Sequence, residues 1–285
     1  MVWWLATTRA LASIDPQCQG IPLPEDYDEQ AQQDFLQNYV ALATTLSPIH
    51  APVPHEGGHG AIGVDFGVVP PLGCERRLVL NYTKTEDTNK TPLIPRPRIT
   101  FALPTIGRMT PYAGFAYVPP VTLFGTTNVI LSGELGAGFQ FGEVVQLGAR
   151  FHATSQKTVG EIATPFIEGD APYDDLYLAS SYGFDLMFGT DFDVVTPYIA
   201  LGFTDVSTFF FIGDDSVVSN NFHPYFGPTG SVGVDALVAK RLRLGGEFYA
   251  APGGHSNPDP EVESVTPASR YGQLYTARFR LAVEL

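Results

Sequence analysis

His55-Glu56-Gly57-Gly58-His59 spells H-E-x-x-H. On a helix that spacing sets two imidazoles on one face for zinc, with the glutamate beside the metal-bound water. The surroundings oppose the helix. Pro52 and Pro54 precede the motif, two glycines lie inside it and Gly60 follows; each glycine costs a helix about 1 kcal/mol. The longer form of the motif needs glycine three residues after the second histidine, where this chain has Ile62. The segment therefore reads as a flexible approach to a strand. A second set, Asp174-Asp175, Asp214-Asp215, His223 and His255, has the residue types of acid–base chemistry. It is scattered over connecting segments, where acidic side chains usually form a solvated surface. There is no glycine-rich phosphate loop, no serine nucleophile elbow and no Cys-x-x-Cys site. The expectation is a protein that is not an enzyme and uses no cofactor and no metal.

The elements that carry these residues follow from composition. The 285 residues are 44% hydrophobic, 12% aromatic and 16% charged, with 29 Gly and 24 Pro. Such a chain is too apolar for disorder and suits a β-protein with many turns. A net charge of −14 excludes a binder of nucleic-acid phosphates, which needs a basic face. No stretch is long and apolar enough for a transmembrane helix.

Met1 to Ser13 reads as the tail of a signal peptide. Ala10-Leu11-Ala12 is the small-residue cleavage pattern and Ser13 the expected first mature residue, with the rest of the signal upstream. One amphipathic helix is expected over 22–46. Asp26 and Glu29 form a capping-box-like start, and Phe35, Leu36, Tyr39, Leu42 and Leu46 make one stripe. Its polar face lacks Lys and Arg, so it should pack on protein rather than anionic lipid. Cys18 and Cys74 are candidates for a disulfide; two free thiols is the alternative.

After His59 the period changes to two. Strands are expected at 60–69, 97–103, 111–118, 128–141, 145–154, 181–188, 196–211, 231–238, 242–250 and 275–285. Short turns at 142–143, 189–191 and 240–241 alternate with long connections at 155–175, 212–224 and 251–269. Long strands with charges on one face, joined alternately by short and long connections, indicate an antiparallel, up-and-down transmembrane β-barrel rather than a secreted sandwich. Parity gives ten strands, or twelve if Leu78–Tyr82 is a strand and another lies in 251–269. A three-residue turn at Gly142-Glu143-Val144 pairs Phe141 with Val145 and sets Glu134 opposite His152, an expected brace of the interior.

Residues 60–285 resemble a bacterial outer-membrane β-barrel. The alternation from Tyr275 to Leu285 is similar to the terminal assembly signal of that class, though Leu285 replaces the usual Phe. A segment ahead of the barrel is similar in outline to the long-chain fatty-acid transporters. The resemblance implies insertion by the barrel-assembly machinery, a place in the bacterial outer membrane, and outer-membrane lipid and lipopolysaccharide as surroundings. The omptin proteases of this class use Asp and His at the barrel top, but their Asp-x-His pairing is absent here.

The expected organisation is a signal remnant at 1–12, a helical plug or cap segment at 13–57, placed at the periplasmic mouth, and a barrel at 58–285. The residues expected to line the lumen are Asp65, Arg98, Glu134, Arg150, His152, Asp185, Asp235, Arg243, Glu247, Arg278, Arg280 and Glu284. Their near balance of charge suits either a narrow pathway for small solutes or a lumen filled by ion pairs. The first makes the protein a non-catalytic channel or transporter-like barrel. The second makes it a structural or adhesive barrel with acidic surface loops.

Overall fold

The computed structural model describes residues 18, 20, 29–79, 84–85, 91–123, 125–162, 173–213, 217–238, 241–253 and 274–285. After helix α1 (Glu29–Thr44) come β1 (Gly60–Val68), the short pair β2 (Leu78–Val79) and β3 (Lys84–Thr85), β4 (Leu93–Ala102), β5 (Met109–Leu123) and β6 (Thr126–Phe141). The chain continues through β7 (Val145–Gly160), β8 (Asp175–Thr190), β9 (Val195–Ile212), β10 (Val217–Val238), β11 (Leu242–Ala251) and β12 (Leu274–Glu284). Ten of these close into an antiparallel barrel, in which β1 pairs with both β4 and β12. Leu78–Val79 pairs with Lys84–Thr85 outside that sheet, so the count is ten and not twelve.

Alternation produces the wall. Along β7, Gln146, Arg150, His152 and Thr154 are buried, while Leu147, Phe151 and Ala153 are exposed. Leu135, Phe184, Leu186, Leu201, Phe203, Val232, Phe279 and Leu281 continue the exposed apolar surface around the barrel. A soluble protein would bury these side chains; in a bilayer they meet hydrocarbon. One end carries short turns. Gly142 takes φ 65° in the turn from β6 to β7, a conformation that glycine adopts without strain. The opposite end carries the long connections, except for the tight β5–β6 turn and the four-residue link between β9 and β10.

Several strands run longer than their sequence pattern indicated. β10 spans 22 residues and reaches back to Val217, with a register shift between Asn221 and Tyr225. The connection expected at 212–224 is therefore largely β-ladder. β4 begins at Leu93 despite Pro95 and Pro97. Its ladder with β5 covers only Arg98 to Ala102, so Leu93–Pro97 pairs with β1 alone. A proline costs no ladder bond on a side that has no partner strand.

Candidate functional site: a lumen filled by its own chain

The interior is occupied by α1 and by the strap of residues 45–58 that joins it to β1. Contacts descend in order. At the loop end, the hydroxyl of Tyr177 donates to the Gln37 carbonyl at 2.6 Å and Thr208 donates to the Gln37 side chain at 2.6 Å. Tyr39 donates to the carbonyl of Pro70, just beyond β1. Lower down, Thr44 meets Gln156 at 2.6 Å and the Leu46 amide donates to Thr154 at 3.1 Å. The Ile49 amide donates to Glu247 at 3.1 Å, and the Ala51 amide to Asp235 at 3.0 Å. At the turn end, the Val53 amide donates to Gln146 at 3.2 Å, and His55 sits 2.9 Å from Glu284 and 2.7 Å from Thr100.

The helix thus lies in the loop-side half of the lumen, not at the mouth beside the short turns. Its apolar stripe meets protein: Phe35, Leu36, Tyr39 and Leu42 are buried with Val69, Leu72, Tyr177, Val206, Phe210 and Tyr249. Cys18 and Cys74 are disulfide-bonded, which fixes the chain before the helix to the connection after β1.

A helix ending inside a barrel leaves its last carbonyls without partners. Wall arginines supply them. Arg278 donates to the carbonyls of Leu42 at 2.8 Å and Thr45 at 2.9 Å. Arg96 reaches the Thr44 carbonyl at 2.8 Å, Arg98 the Ser47 carbonyl at 3.1 Å, and Arg150 the Leu46 carbonyl. Cations at a helix C-terminus also oppose the negative end of its dipole. The wall therefore reads the strap's main chain with both signs: arginines take carbonyls, while Glu247 and Asp235 take amides.

The same groups brace one another. Glu134 accepts from Arg98 and from Arg150, the latter at 2.7 Å, and lies 3.4 Å from His50. Arg98 also holds Asp65 at 2.9 Å, and Arg150 holds Asp185 at 2.8 Å. Arg280 donates to Thr100 at 2.8 Å, with Asp65 3.8 Å away. Arg243 bridges Asp235 at 2.7 Å and Glu284 at 2.6 Å. Charges this deep hold only when paired and hydrogen-bonded. At the turn end, burial pushes the His55 imidazole below its ordinary pKa; the Glu284 hydrogen bond opposes that shift and Arg243 adds to it.

Glycines shape the bottom of the socket. A methyl group on Gly138 or Gly189 would run into Pro52, one on Gly148 would press tightly against it, and one on Gly245 would run into the Ile49 carbonyl. Three neighbouring strands thus leave a notch in which Pro52 sits.

An apolar belt outside a closed sheet and a charged, hydrogen-bonded interior leave one environment for this wall. The chain is a transmembrane β-barrel. No protein-family profile matches this barrel. No curated protein matches it either. Among solved structures it is similar to the translocator domain of the autotransporter NalP from Neisseria meningitidis, at 11% identity and a TM-score of 0.44 over 89% of this chain and 96% of that one. It is similar also to the Pseudomonas putida toluene transporter TodX, at 10% identity and a TM-score of 0.36 over 83% of this chain and 70% of that one. A FadL homologue from Pseudomonas aeruginosa shows 10% identity and a TM-score of 0.32 over 82% and 92%.

In this transmembrane barrel the side chains named from sequence point inward. Asp65, Arg98, Glu134, Arg150, His152, Asp185, Asp235, Glu247, Arg278 and Arg280 are buried, and Arg243 and Glu284 sit at the turn-end mouth. The Glu134–His152 brace is a correction. The two residues are paired in register, but Glu134 turns to Arg98, Arg150 and His50, while His152 faces Asp185 at 3.6 Å. Sequence reading missed Arg96, His50 and Tyr198, whose hydroxyl donates to Glu247 at 2.8 Å. Arg96 lies two residues before Arg98 and shares its face; the flanking prolines hid it. His55 belongs to the strap and His59 is exposed, with no helix between them. Asp175 is buried and accepts the Ile162 amide at 2.8 Å. Asp214, Asp215 and His255 lie outside the described residues, as does the side chain of His223.

Proposed function

We propose that the protein is a narrow, non-catalytic channel or transporter-like barrel for small solutes, closed at rest by its own N-terminal segment. One observation carries the reading: the material filling the lumen is a continuous stretch of chain, Leu42 to His55, held by hydrogen bonds to wall side chains. Displacing it leaves the wall ladders intact and uncovers a passage lined by Asp65, Arg98, Glu134, Arg150, Asp185, Asp235, Glu247, Arg278 and Arg280. A barrel of this size without the strap encloses room for side chains and one small ligand. Insertion by the barrel-assembly machinery and contact with lipopolysaccharide at the loop end belong to the same reading.

The test is conductance in planar bilayers. The full chain is expected to stay closed apart from brief openings, and a variant without residues 13–55 to conduct steadily. If that variant keeps the heat-modifiable mobility of a folded barrel and does not conduct, the channel reading fails. The second reading, a structural or adhesive barrel, then stands. It draws support from Glu134, whose carboxylate is shared by three partners and leaves no group free for a solute.

A further inference from the structure

The path of the strap has a direction. β1 starts at Gly60, at the end that carries the short turns, and the chain reaches it from inside the lumen. Followed backward, the contacts climb one level at a time: His55 at Glu284, Ala51 at Asp235, Leu46 at Thr154, Gln37 at Tyr177. Glu284 ends β12 at the turns, whereas Tyr177 is the third residue of β8, at the loop end. Above that level the guanidinium of Arg76 lies 4.3 Å over the ring of Phe35. The disulfide then joins Cys18 to Cys74, at the start of the short helical turn Cys74–Arg76 between β1 and β4. Two independent features, the ladder of hydrogen bonds and the covalent link, put residue 18 at the face opposite the start of β1.

In an outer-membrane barrel the short turns face the periplasm and the long connections face outside. We propose that this barrel presents its own N-terminal segment on the outer surface. Chain preceding Cys18 lies outside the cell, having passed the membrane plane along the lumen, and the Cys18–Cys74 bond clamps it there. Strap and β1 then form one long hairpin, down the lumen and back up the wall, with its two arms tied at the outer mouth. The inference rests on the membrane orientation of the barrel and not on conductance, so a closed, non-conducting barrel leaves it intact.

The experiment places one short epitope at three sites of the full chain, produced behind a working export signal. The sites are between Pro16 and Gln17, after Gly142 in a short turn, and within 254–270 in a long connection. Antibody binding is read on intact and on permeabilised cells, and heat-modifiable mobility verifies that each barrel is folded. The Pro16 and 254–270 tags are expected to bind on intact cells, and the Gly142 tag only after permeabilisation. A Pro16 tag that binds only after permeabilisation, beside a 254–270 tag that binds on intact cells, overturns the proposal. Exchange of the Gly142 and 254–270 results overturns the orientation instead, and the display with it. An unstructured polypeptide joined ahead of Ser13 is expected at the surface too; its retention inside cells that hold a folded barrel also overturns the proposal.

Discussion

Arg150 donates to Glu134 across the β6–β7 ladder at 2.7 Å and, with the same guanidinium, to the carbonyl of Leu46. Wall and strap therefore share one charged group. The ion pair orients the guanidinium, and the guanidinium holds the main chain that fills the lumen.

Replacing Glu134 with Gln leaves Arg98 and Arg150 facing each other without their shared carboxylate. Removing one partner of a buried charge pair costs about 3–5 kcal/mol. Glu134→Gln is expected to unfold at clearly lower urea than the unaltered barrel, followed by heat-modifiable mobility. An unchanged midpoint would show that solvent or a neighbour replaces the carboxylate.

The glycine notch offers a change that acts on the strap and spares the wall ladder. Gly148→Val puts branched carbon where Pro52 now sits. The strap is expected to leave its seat at the turn end while the barrel remains folded. Limited proteolysis around residues 50–58 reads this out; protection equal to that of the unaltered chain would contradict the seating of Pro52.

Phe151 and Leu178 both face outward, the first in the middle of β7 and the second near the loop end of β8. Arginine costs about 2–4 kcal/mol at the bilayer midplane and about 0–1 kcal/mol near the interface. Phe151→Arg is expected to reduce the folded, membrane-inserted fraction strongly and Leu178→Arg to leave it nearly unchanged. Equal losses would displace the membrane band from the position assigned here.

His55 gives the docked strap a pH dependence. Its folded pKa lies below the ordinary value of 6.5, with burial the largest cause. As pH falls through about 6.5, the released or unfolded chain takes up a proton that the docked imidazole refuses. Stability is therefore complete above that pH and declines as pH drops toward the folded value. Denaturant midpoints from pH 8 to 5 are expected to fall for the native chain and to fall less steeply for His55→Gln. A profile that rises on acidification would mean that Glu284 outweighs burial.

What the sequence discloses follows from how local each cause is. The β6–β7 register was legible because turn length and period-two alternation admit one solution for Phe141 and Val145. The inward face was legible for the same reason. Partner choice was not: Glu134 opposes His152 in the ladder, yet its carboxylate is drawn to two permanent cations contributed by β4 and β7. Arg96 stayed hidden because Pro95 and Pro97 argue against a strand unless one knows that β5 is absent beside them. The strap lies almost wholly within the plug segment expected at 13–57, but its path along the lumen was not legible. Residues 46–58 carry no periodicity, since their bonds run from the main chain to side chains far away in sequence.

The arginine clamp grips carbonyls, and a carbonyl is the same whichever residue bears it. The carbonyl contacts therefore depend on the spacing of Thr45, Leu46 and Ser47 more than on their side chains, although all three are buried and the Thr45 hydroxyl also donates to Ser181 at 3.0 Å. Leu42, Thr44, Thr45, Leu46 and Ser47 each meet a fixed guanidinium. Inserting a single residue after Thr44 would shift the later carbonyls past their donors. The barrel measures chain length like a ruler.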